Sequence, residues 1–370
     1  MNALEAGAKG SAADRQRINS GVTGVREQHR FDEARLAHWL RSTVAGFEGP
    51  LRVAQFRGGQ SNPTYRLTTP GADYVLRRKP PGQLVPGAHA VDREARVMSA
   101  LHTVGIPVPK VIAECGDGSV IGTPFYLMEL VSGRIFWDSR MPGVPAGDRT
   151  KMFDDMNRVV AALHAVDPDA VGLGDFGRRD GYVRRQLERW SRQYDSARGD
   201  GDRDSDVDWL RDWIRERVPV DAGVSVTHGD IKCDNLIFHP TEPRVIAILD
   251  WELATLGDPL ADFAYNALMY HLPRTIAGGL GDLSAEELID LGIPSETEYE
   301  TSYRERAGRV DTTGLDVYLV FNTFRLYAIM HGIRARVQQG TAASAHAGDM
   351  IAAMPRLVEI GRRLAERCPA

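Results

Sequence analysis

The stretch Val226-Thr227-His228-Gly229-Asp230-Ile231-Lys232-Cys233-Asp234-Asn235-Leu236-Ile237-Phe238-His239-Pro240-Thr241-Glu242-Pro243-Arg244-Val245-Ile246-Ala247-Ile248-Leu249-Asp250 decides how this chain is read. Leu236 to Phe238 is a short apolar run and Val245 to Leu249 a second; His239 to Pro243, with two prolines and polar residues, lies between them. Two strands and a turn are the signature of a hairpin. Paired strands lie about 4.8 Å apart, so Asn235 and Asp250 are expected at the same end of neighbouring strands, within reach of one ion. Asp230 falls on the loop just before. A carboxylate and an amide oxygen on one ion suit magnesium, which takes oxygen ligands and leaves room for substrate phosphates. A nearby aspartate that accepts a hydroxyl proton completes the set for phosphoryl transfer. Solvated turns are also rich in Asp and Asn. What argues for chemistry is the combination: His-Gly-Asp, an Asn five residues later, and an Asp on the returning strand.

Working outward, Phe31 to Leu40 has helical spacing, with Leu36, Trp39 and Leu40 on one side. Leu51 to Phe56, Thr64 to Thr68 and Tyr74 to Arg78 are expected strands, His89 to Leu101 a helix, and Val108 to Ala113 and Phe125 to Leu130 further strands. Beyond Gly133 helical spacing takes over, at Arg149 to Val166, Tyr182 to Tyr194, Val207 to Val218, Tyr318 to Gln338 and His346 to Glu366. The expected fold class is α+β in two lobes: a β-rich N-lobe over residues 29–131 and an α-rich C-lobe over 132–370. The C-lobe is expected to carry the catalytic loop, metal site and acceptor site. Residues 1–28 are expected to be a flexible tail. Ligand sites favour the cleft between such units.

The bulk properties narrow the function classes. The chain has 370 residues and a formal net charge of −5, which argues against a nucleic-acid binder. Three cysteines (Cys115, Cys233, Cys368) are too few and too scattered for a disulfide framework or a zinc site. They fit a reducing cytoplasm. No apolar run approaches the roughly 20 residues that span a bilayer, and Ala3 to Gln28 lacks a signal-peptide core. The expected location is therefore cytoplasmic, with no membrane partner. Lysine is scarce: Lys9, Lys79, Lys110, Lys151 and Lys232 are set against 45 basic residues in all.

On the nucleotide side, Gly58-Gly59-Gln60-Ser61-Asn62 joins two expected strands, and glycine lets backbone amides approach phosphate. A glycine-rich hairpin turn would look the same. In the strand that comes two later, a period of two puts Val75, Arg77 and Lys79 on one face, so either cation is a candidate for the phosphates.

His228-Gly229-Asp230-x4-Asn235, followed by Leu249-Asp250-Trp251-Glu252, resembles the Brenner-type motif of the aminoglycoside phosphotransferase and choline kinase group, a branch of the protein-kinase-like fold. The resemblance covers about residues 30 to 365. It implies ATP and Mg2+ as cofactors, Asp230 as catalytic base, Asn235 and Asp250 as magnesium ligands, and His228 as a structural anchor of the loop. It sets Lys232 where a cation would touch the transferred phosphate; a solvent-exposed loop lysine is the alternative. Gly257-Asp258-Pro259-Leu260-Ala261-Asp262 also resembles the family. Asp258 before Pro259 fits a helix N-cap, and Asp262 a buried carboxylate bracing the catalytic loop. The resemblance further implies that Arg77 contacts the α- and β-phosphates and pairs with Glu94, a departure from the usual lysine. Met128 would sit beside the adenine, with backbone groups of Glu129 and Val131 on its edge; a buried edge strand would read alike.

Gly58 to Tyr65, Arg78-Lys79-Pro80-Pro81-Gly82, His89 to Glu94 and Asp250 to Pro259 resemble the kinase-like domain found with certain acyl-CoA dehydrogenases. That implies phosphorylation of a hydroxyacyl-CoA, with an acyl-CoA dehydrogenase partner acting downstream. Charge offers a separate hint. Arg304 to Arg367 holds ten arginines against six acids, which suits CoA phosphates better than a polycationic aminoglycoside. An aminoglycoside or amino-alcohol phosphotransferase is the first alternative. A nucleotide-binding pseudokinase is the second, opposed by the intact Asp230, Asn235 and Asp250.

Overall fold

A computed structural model describes residues 20–57, 62–82, 89–197, 204–276, 278–308, 314–338 and 347–368. The chain divides into two compact units, residues 1–134 with 236–254 and residues 135–235 with 255–370.

The first unit is built on a six-stranded antiparallel sheet. Its strands are β1 (Val22–Thr23), β2 (Arg52–Phe56), β3 (Thr64–Thr68), β4 (Asp73–Arg78), β5 (Val111–Cys115) and β6 (Phe125–Glu129), in the order β1-β2-β3-β4-β6-β5. Alternation in β3 turns Tyr65 and Leu67 inward. With Leu76, Phe125 and Leu127 they bury against Leu36 and Leu40 of helix α1 (Glu33–Thr43). Each such side chain contributes about 1.5–3 kcal/mol relative to exposure. Asp32 caps α1 by accepting the N–H groups of Ala34 and Arg35, both at 3.0 Å. Helix α2 (Val91–His102) buries Val91, Ala95, Val97, Met98 and Leu101, and on the same apolar side the acid Glu94.

Several expectations shift here. The tail expected over residues 1–28 ends sooner, for Val22 and Thr23 pair with Phe56 and Gln55. The Arg26 N–H donates to Gln55 Oε1 at 3.1 Å, and the Tyr65 hydroxyl donates to the His29 carbonyl at 2.9 Å. Residues 1–19 lie outside the described residues. The strand expected from Val108 starts at Val111, since Val108 stands between Pro107 and Pro109 and proline lacks a ladder donor. The helix expected over His346 to Glu366 is two helices, Ala347–Ala352 and Met354–Glu366, broken at Ala353 ahead of Pro355.

The hairpin β8 (Leu236–Phe238) and β9 (Val245–Ile248) belongs to the first unit, with Leu236 opposite Ile248. Asp250 is not on the returning strand. It follows β9 in the left-handed region (φ 66, ψ 60) and opens a short 3-10 turn, Trp251–Leu253. The buried Trp251 indole donates to the Ile248 carbonyl at 3.0 Å and pins that turn. Arg134 and Phe238 exchange backbone hydrogen bonds at 2.7 and 2.8 Å. That close approach requires Gly133: a Cβ there would overlap the Phe238 carbonyl oxygen and come within 2.5 Å of Ile237 Cγ2.

The second unit is helical: α3 (Ala146–His164), α4 (Tyr182–Ser196), α5 (Ser205–Glu216), α6 (Pro259–Ala267), α7 (Ala285–Leu291), α8 (Glu296–Arg306), α9 (Leu315–Gln338), α10 (Ala347–Ala352) and α11 (Met354–Glu366). The 24 residues of α9 span about 36 Å. Leu315 and all residues from Tyr318 to Gly332 except Ile329 are buried, the mark of a helix enclosed on every side. A two-stranded ribbon, β7 (Ser225–Thr227) with β10 (Thr255–Gly257), runs directly into His228 at one end and Asp258 at the other. Among the described residues no helix is long and apolar enough to cross a membrane.

Gly133→Ala is expected to destabilise the protein by about 1–3 kcal/mol through overpacking against β8, read as a lower urea midpoint with an unchanged slope.

Candidate active site

In the second unit, β7 delivers the chain into a loop held at every residue from 228 to 231. Asp262, one turn into α6, accepts the His228 N–H at 2.7 Å through Oδ2 and the Gly229 N–H at 2.8 Å through Oδ1. Gly229 has φ +82, a left-handed conformation natural to glycine, and its carbonyl accepts from Arg325. The Asp230 N–H donates to His228 Nδ1 at 3.1 Å. The Ile231 carbonyl accepts from Asn266 at 3.2 Å, and Tyr299 donates to Asn266 at 2.7 Å. Behind Asp262, His164 Nε2 lies 3.2 Å from Oδ2, and His164 Nδ1 lies 2.8 Å from the Tyr303 hydroxyl. Burial works to raise the pKa of Asp262, but the bonds from His164 and the His228 amide outweigh it and hold the pKa below the ordinary 3.8. Asp258 is the N-cap of α6, accepting from Leu260 and Ala222 at 2.9 Å each and from the Tyr318 hydroxyl at 2.7 Å.

These braces present Asp230. Asn235 Nδ2 donates to Asp230 Oδ2 at 2.9 Å and to the Asp230 carbonyl at 2.8 Å. With its nitrogen so committed, the Asn235 amide has its oxygen to offer a cation. Lys232 Nζ lies 2.8 Å from Asp234 Oδ2 and 3.5 Å from Asp230 Oδ2. Burial disfavours its charge, yet the two carboxylates prevail and keep it protonated. Burial, with the nearby Asp230 carboxylate, raises the pKa of the Tyr265 phenol. The Arg325 guanidinium sits 4.6 Å over the Tyr265 ring. Lys232 and Tyr265 also line a small recess of about 30 Å³ whose other walls include Leu268, Met269, Leu272 and Leu326. None of the residues lining it is acidic.

The first unit has its own polar centre, on β4. Arg77 Nε lies 2.7 Å from Glu94 Oε2, and its Nη2 lies 2.7 Å from Asp250 Oδ1 and 3.7 Å from Glu252 Oε2. The guanidinium side chain is 9% exposed. Burial opposes its charge, but the surrounding carboxylates raise its pKa and secure it. Glu94 accepts from Asn62 at 2.7 Å and from Tyr126 at 3.1 Å, and Asn62 Oδ1 lies 2.9 Å from His89 Nδ1. Burial pushes Glu94 up, partly countered by Arg77. Three carboxylates thus share one guanidinium, an excess of negative charge beside Asp250. An oxygen-only, anionic setting suits a hard divalent cation. Among the described residues no three His, Cys, Asp or Glu side chains converge to hold a metal on their own.

Of the other residues singled out by sequence, Gly58, Gly59, Gln60 and Ser61 lie outside the described residues. Asn62, expected in a phosphate-covering loop, is instead buried and bonded to Glu94. Lys79 lies past the end of β4, 3.6 Å from Asp92 at the surface, while Arg77 takes the buried position. Met128 is buried opposite Val75; the Glu129 N–H is committed to the Lys110 carbonyl at 3.0 Å; Val131 is half-buried. Sequence reasoning missed Tyr126, His164, Glu252, Tyr265 and Arg325. His164 carried a signal, falling four residues after Val160 on the core face of α3. Tyr126 meets Arg77 only through the β4–β6 register, which links strands distant in sequence.

Asp262→Ala leaves two buried N–H groups without an acceptor, at about 1–3 kcal/mol each. A loss of about 2–5 kcal/mol is expected in urea unfolding at pH 7. Because the folded pKa lies below the unfolded one, this carboxylate stabilises above the unfolded value. Its contribution disappears as pH falls through the folded pKa, so the gap between variant and wild type should close only below about pH 3.8.

Comparison with known proteins fits this geometry. The APH phosphotransferase enzyme family matches residues 52–287. Mouse acyl-CoA dehydrogenase family member 10 is 42% identical over 326 residues, covering 87% of this chain and 30% of that protein. Chicken acyl-CoA dehydrogenase family member 11 is 38% identical, covering 95% of this chain and 45% of that protein. The chain therefore spans less than half the length of these curated relatives. A crystal structure from Ralstonia eutropha JMP134, provisionally described as an aminoglycoside phosphotransferase, is 45% identical with a TM-score of 0.82, covering 92% of this chain and all of that one. Choline kinase from Cryptosporidium parvum Iowa II shares the fold at 12% identity, with a TM-score of 0.62, over 91% of this chain and 97% of that one. This chain belongs to the APH phosphotransferase enzyme family, enzymes of kinase-like fold that transfer phosphate to a hydroxyl acceptor.

Proposed function

We propose that the chain transfers the γ-phosphoryl group of ATP to the hydroxyl of a hydroxyacyl-CoA, with magnesium as the metal. The observation that carries the acceptor class is the likeness, over 87% and 95% of this chain, to two relatives 42% and 38% identical to it. The names of the relatives, acyl-CoA dehydrogenase family members 10 and 11, support the same class. They also motivate an acyl-CoA dehydrogenase as the enzyme acting downstream.

In this reading Asp230 accepts the proton of the acceptor hydroxyl as its oxygen bonds to the γ-phosphorus and the bond to ADP breaks. Asn235 keeps that carboxylate oriented, and Lys232 offsets negative charge at the transferred group. Asn235 precedes Leu236 and Asp250 follows Ile248, the paired ends of one hairpin, and these two residues are assigned the metal. Magnesium, when bound, neutralises phosphate charge. Arg77 is assigned the α- and β-phosphates, and Met128, Glu129 and Val131 the adenine. The reaction is assigned to the cytoplasm.

A panel of acceptors with ADP release as readout tests the assignment. Turnover is expected with 4-hydroxyacyl-CoAs and not with kanamycin or choline; the reverse pattern overturns it. Asp230→Asn is expected to lower kcat by at least about 100-fold with ATP affinity nearly unchanged, and wild-type turnover would remove Asp230 from its role. Asp250→Ala is expected to weaken Mg-ATP binding by calorimetry; unaltered binding would remove Asp250 from the metal site.

A further inference from the structure

We infer that the arginine face of α4 binds the phosphate groups of the acceptor, those of a CoA ester whose hydroxyl lies at Asp230. This rests on the acyl-CoA acceptor proposed above and names the part of that molecule which the second unit grips. Helix α4 carries Arg184, Arg185, Arg189 and Arg192. Among the described residues none of the four makes an ion pair. Arg185, Arg189 and Arg192 recur at helical spacing and share one face, in a row about 10 Å long. Arg189 and Arg192 are exposed, and Arg185 is half-buried, its Nη2 donating to the Arg178 carbonyl at 3.0 Å. The next helix, α5, differs. Its Arg211 meets Asp195 at 3.1 Å and Asp208 at 3.0 Å, and its Arg215 meets Asp212 at 2.5 Å. In a chain with a formal net charge of −5, the row on α4 stands out as positive charge left open.

Direct contacts tie this row to the catalytic loop. Arg325, only 5% exposed, donates to the carbonyl of Gly229, the residue before Asp230. Its guanidinium lies 5.5 Å from the ring of Trp190 on α4, and the Arg189 guanidinium lies 5.1 Å from the same ring. Tyr194 fastens α4 to α9 nearby, edge-on to Phe324 and Tyr327 at 6.3 and 6.0 Å between ring centres. Among the described residues Arg325 makes no ion pair either, so its charge adds to that of the row. Partial burial and the Arg325 charge together lower the Arg189 pKa. Like charges therefore stand close together with no ion pair to offset them. An anion relieves that repulsion, whereas a polycation adds to it. Guanidinium forks take phosphate oxygens two at a time, and a row of three suits a ligand with several phosphates better than one with a single carboxylate. A CoA ester carries its phosphates at the far end of a long flexible arm from its acyl hydroxyl. That layout matches a base and an arginine row joined through Arg325 and Trp190.

The test compares one 4-hydroxyacyl group carried on CoA and on N-acetylcysteamine, which lacks the phosphates, with ADP release as readout. For the wild type, kcat/KM should be at least about tenfold higher for the CoA ester. Arg189→Gln and Arg192→Gln should each raise KM for the CoA ester about three- to tenfold with kcat held, and should not change KM for the cysteamine ester. Arg189→Lys should recover part of the loss, since it restores the charge without the fork. Adenosine 3′,5′-bisphosphate should compete with the CoA ester and not with ATP, and both glutamine variants should weaken that inhibition. Equal kcat/KM for the two esters in the wild type overturns the inference while leaving the acyl acceptor intact. So do glutamine variants of wild-type Tm that keep the wild-type ratio between the esters. Failure of both esters alongside turnover of kanamycin overturns the acceptor reading and this inference together.

Discussion

The second unit depends on one carboxylate. Asp262 takes the two consecutive N–H groups of His228 and Gly229, one on each oxygen. No regular ladder supplies partners at this point, because the chain has left β7 and not yet entered β8. Two amide donors buried without an acceptor would be costly, so the loop has one low-energy path past α6. Asp230 follows directly on that path. Its position is thus inherited from the helix that carries Asp262, and through His164 and Tyr303 from α3 and α8.

The first unit solves a related problem with the opposite sign. Arg77 is a buried cation on a central strand, and its neighbours Glu94, Asp250 and Glu252 come from a helix and a turn that follow in sequence. A guanidinium can engage three carboxylates at different angles, which a lysine ammonium on a flexible stem does less well. The arginine therefore organises the end of the β8–β9 hairpin as well as α2. Tyr126 and Asn62 donate to Glu94 as well, one on each oxygen.

Local signals in the sequence were legible: the hairpin at 236–248, the cap at Asp258 before Pro259, and the strand pattern of Thr64 to Arg78. The roles attached to His228 and Asp262 rested on family resemblance, and their geometry has a plain physical form, a loop bonded to a helix carboxylate. What stayed hidden depends on register and on backbone torsions. Asn62 sits after a glycine-rich stretch and reads as a phosphate loop residue, yet its amide is turned inward by Glu94, thirty-two residues away. Tyr265 lies in an apolar helix and reads as core; only its hydroxyl's approach to Asp230 sets it apart. Asp250 reads as the last residue of a strand, since nothing in its neighbours announces a positive φ.

That positive φ narrows what can stand at position 250 over evolutionary time. With φ 66, the site admits glycine, asparagine or aspartate with little strain and penalises most others. Glutamate, the usual one-methylene neighbour of aspartate, keeps the charge but fits the backbone poorly. Asparagine fits the backbone but gives up the charge that Arg77 meets at 2.7 Å. Glycine gives up the side chain altogether. Each single replacement at this position therefore forfeits either the conformation or the carboxylate.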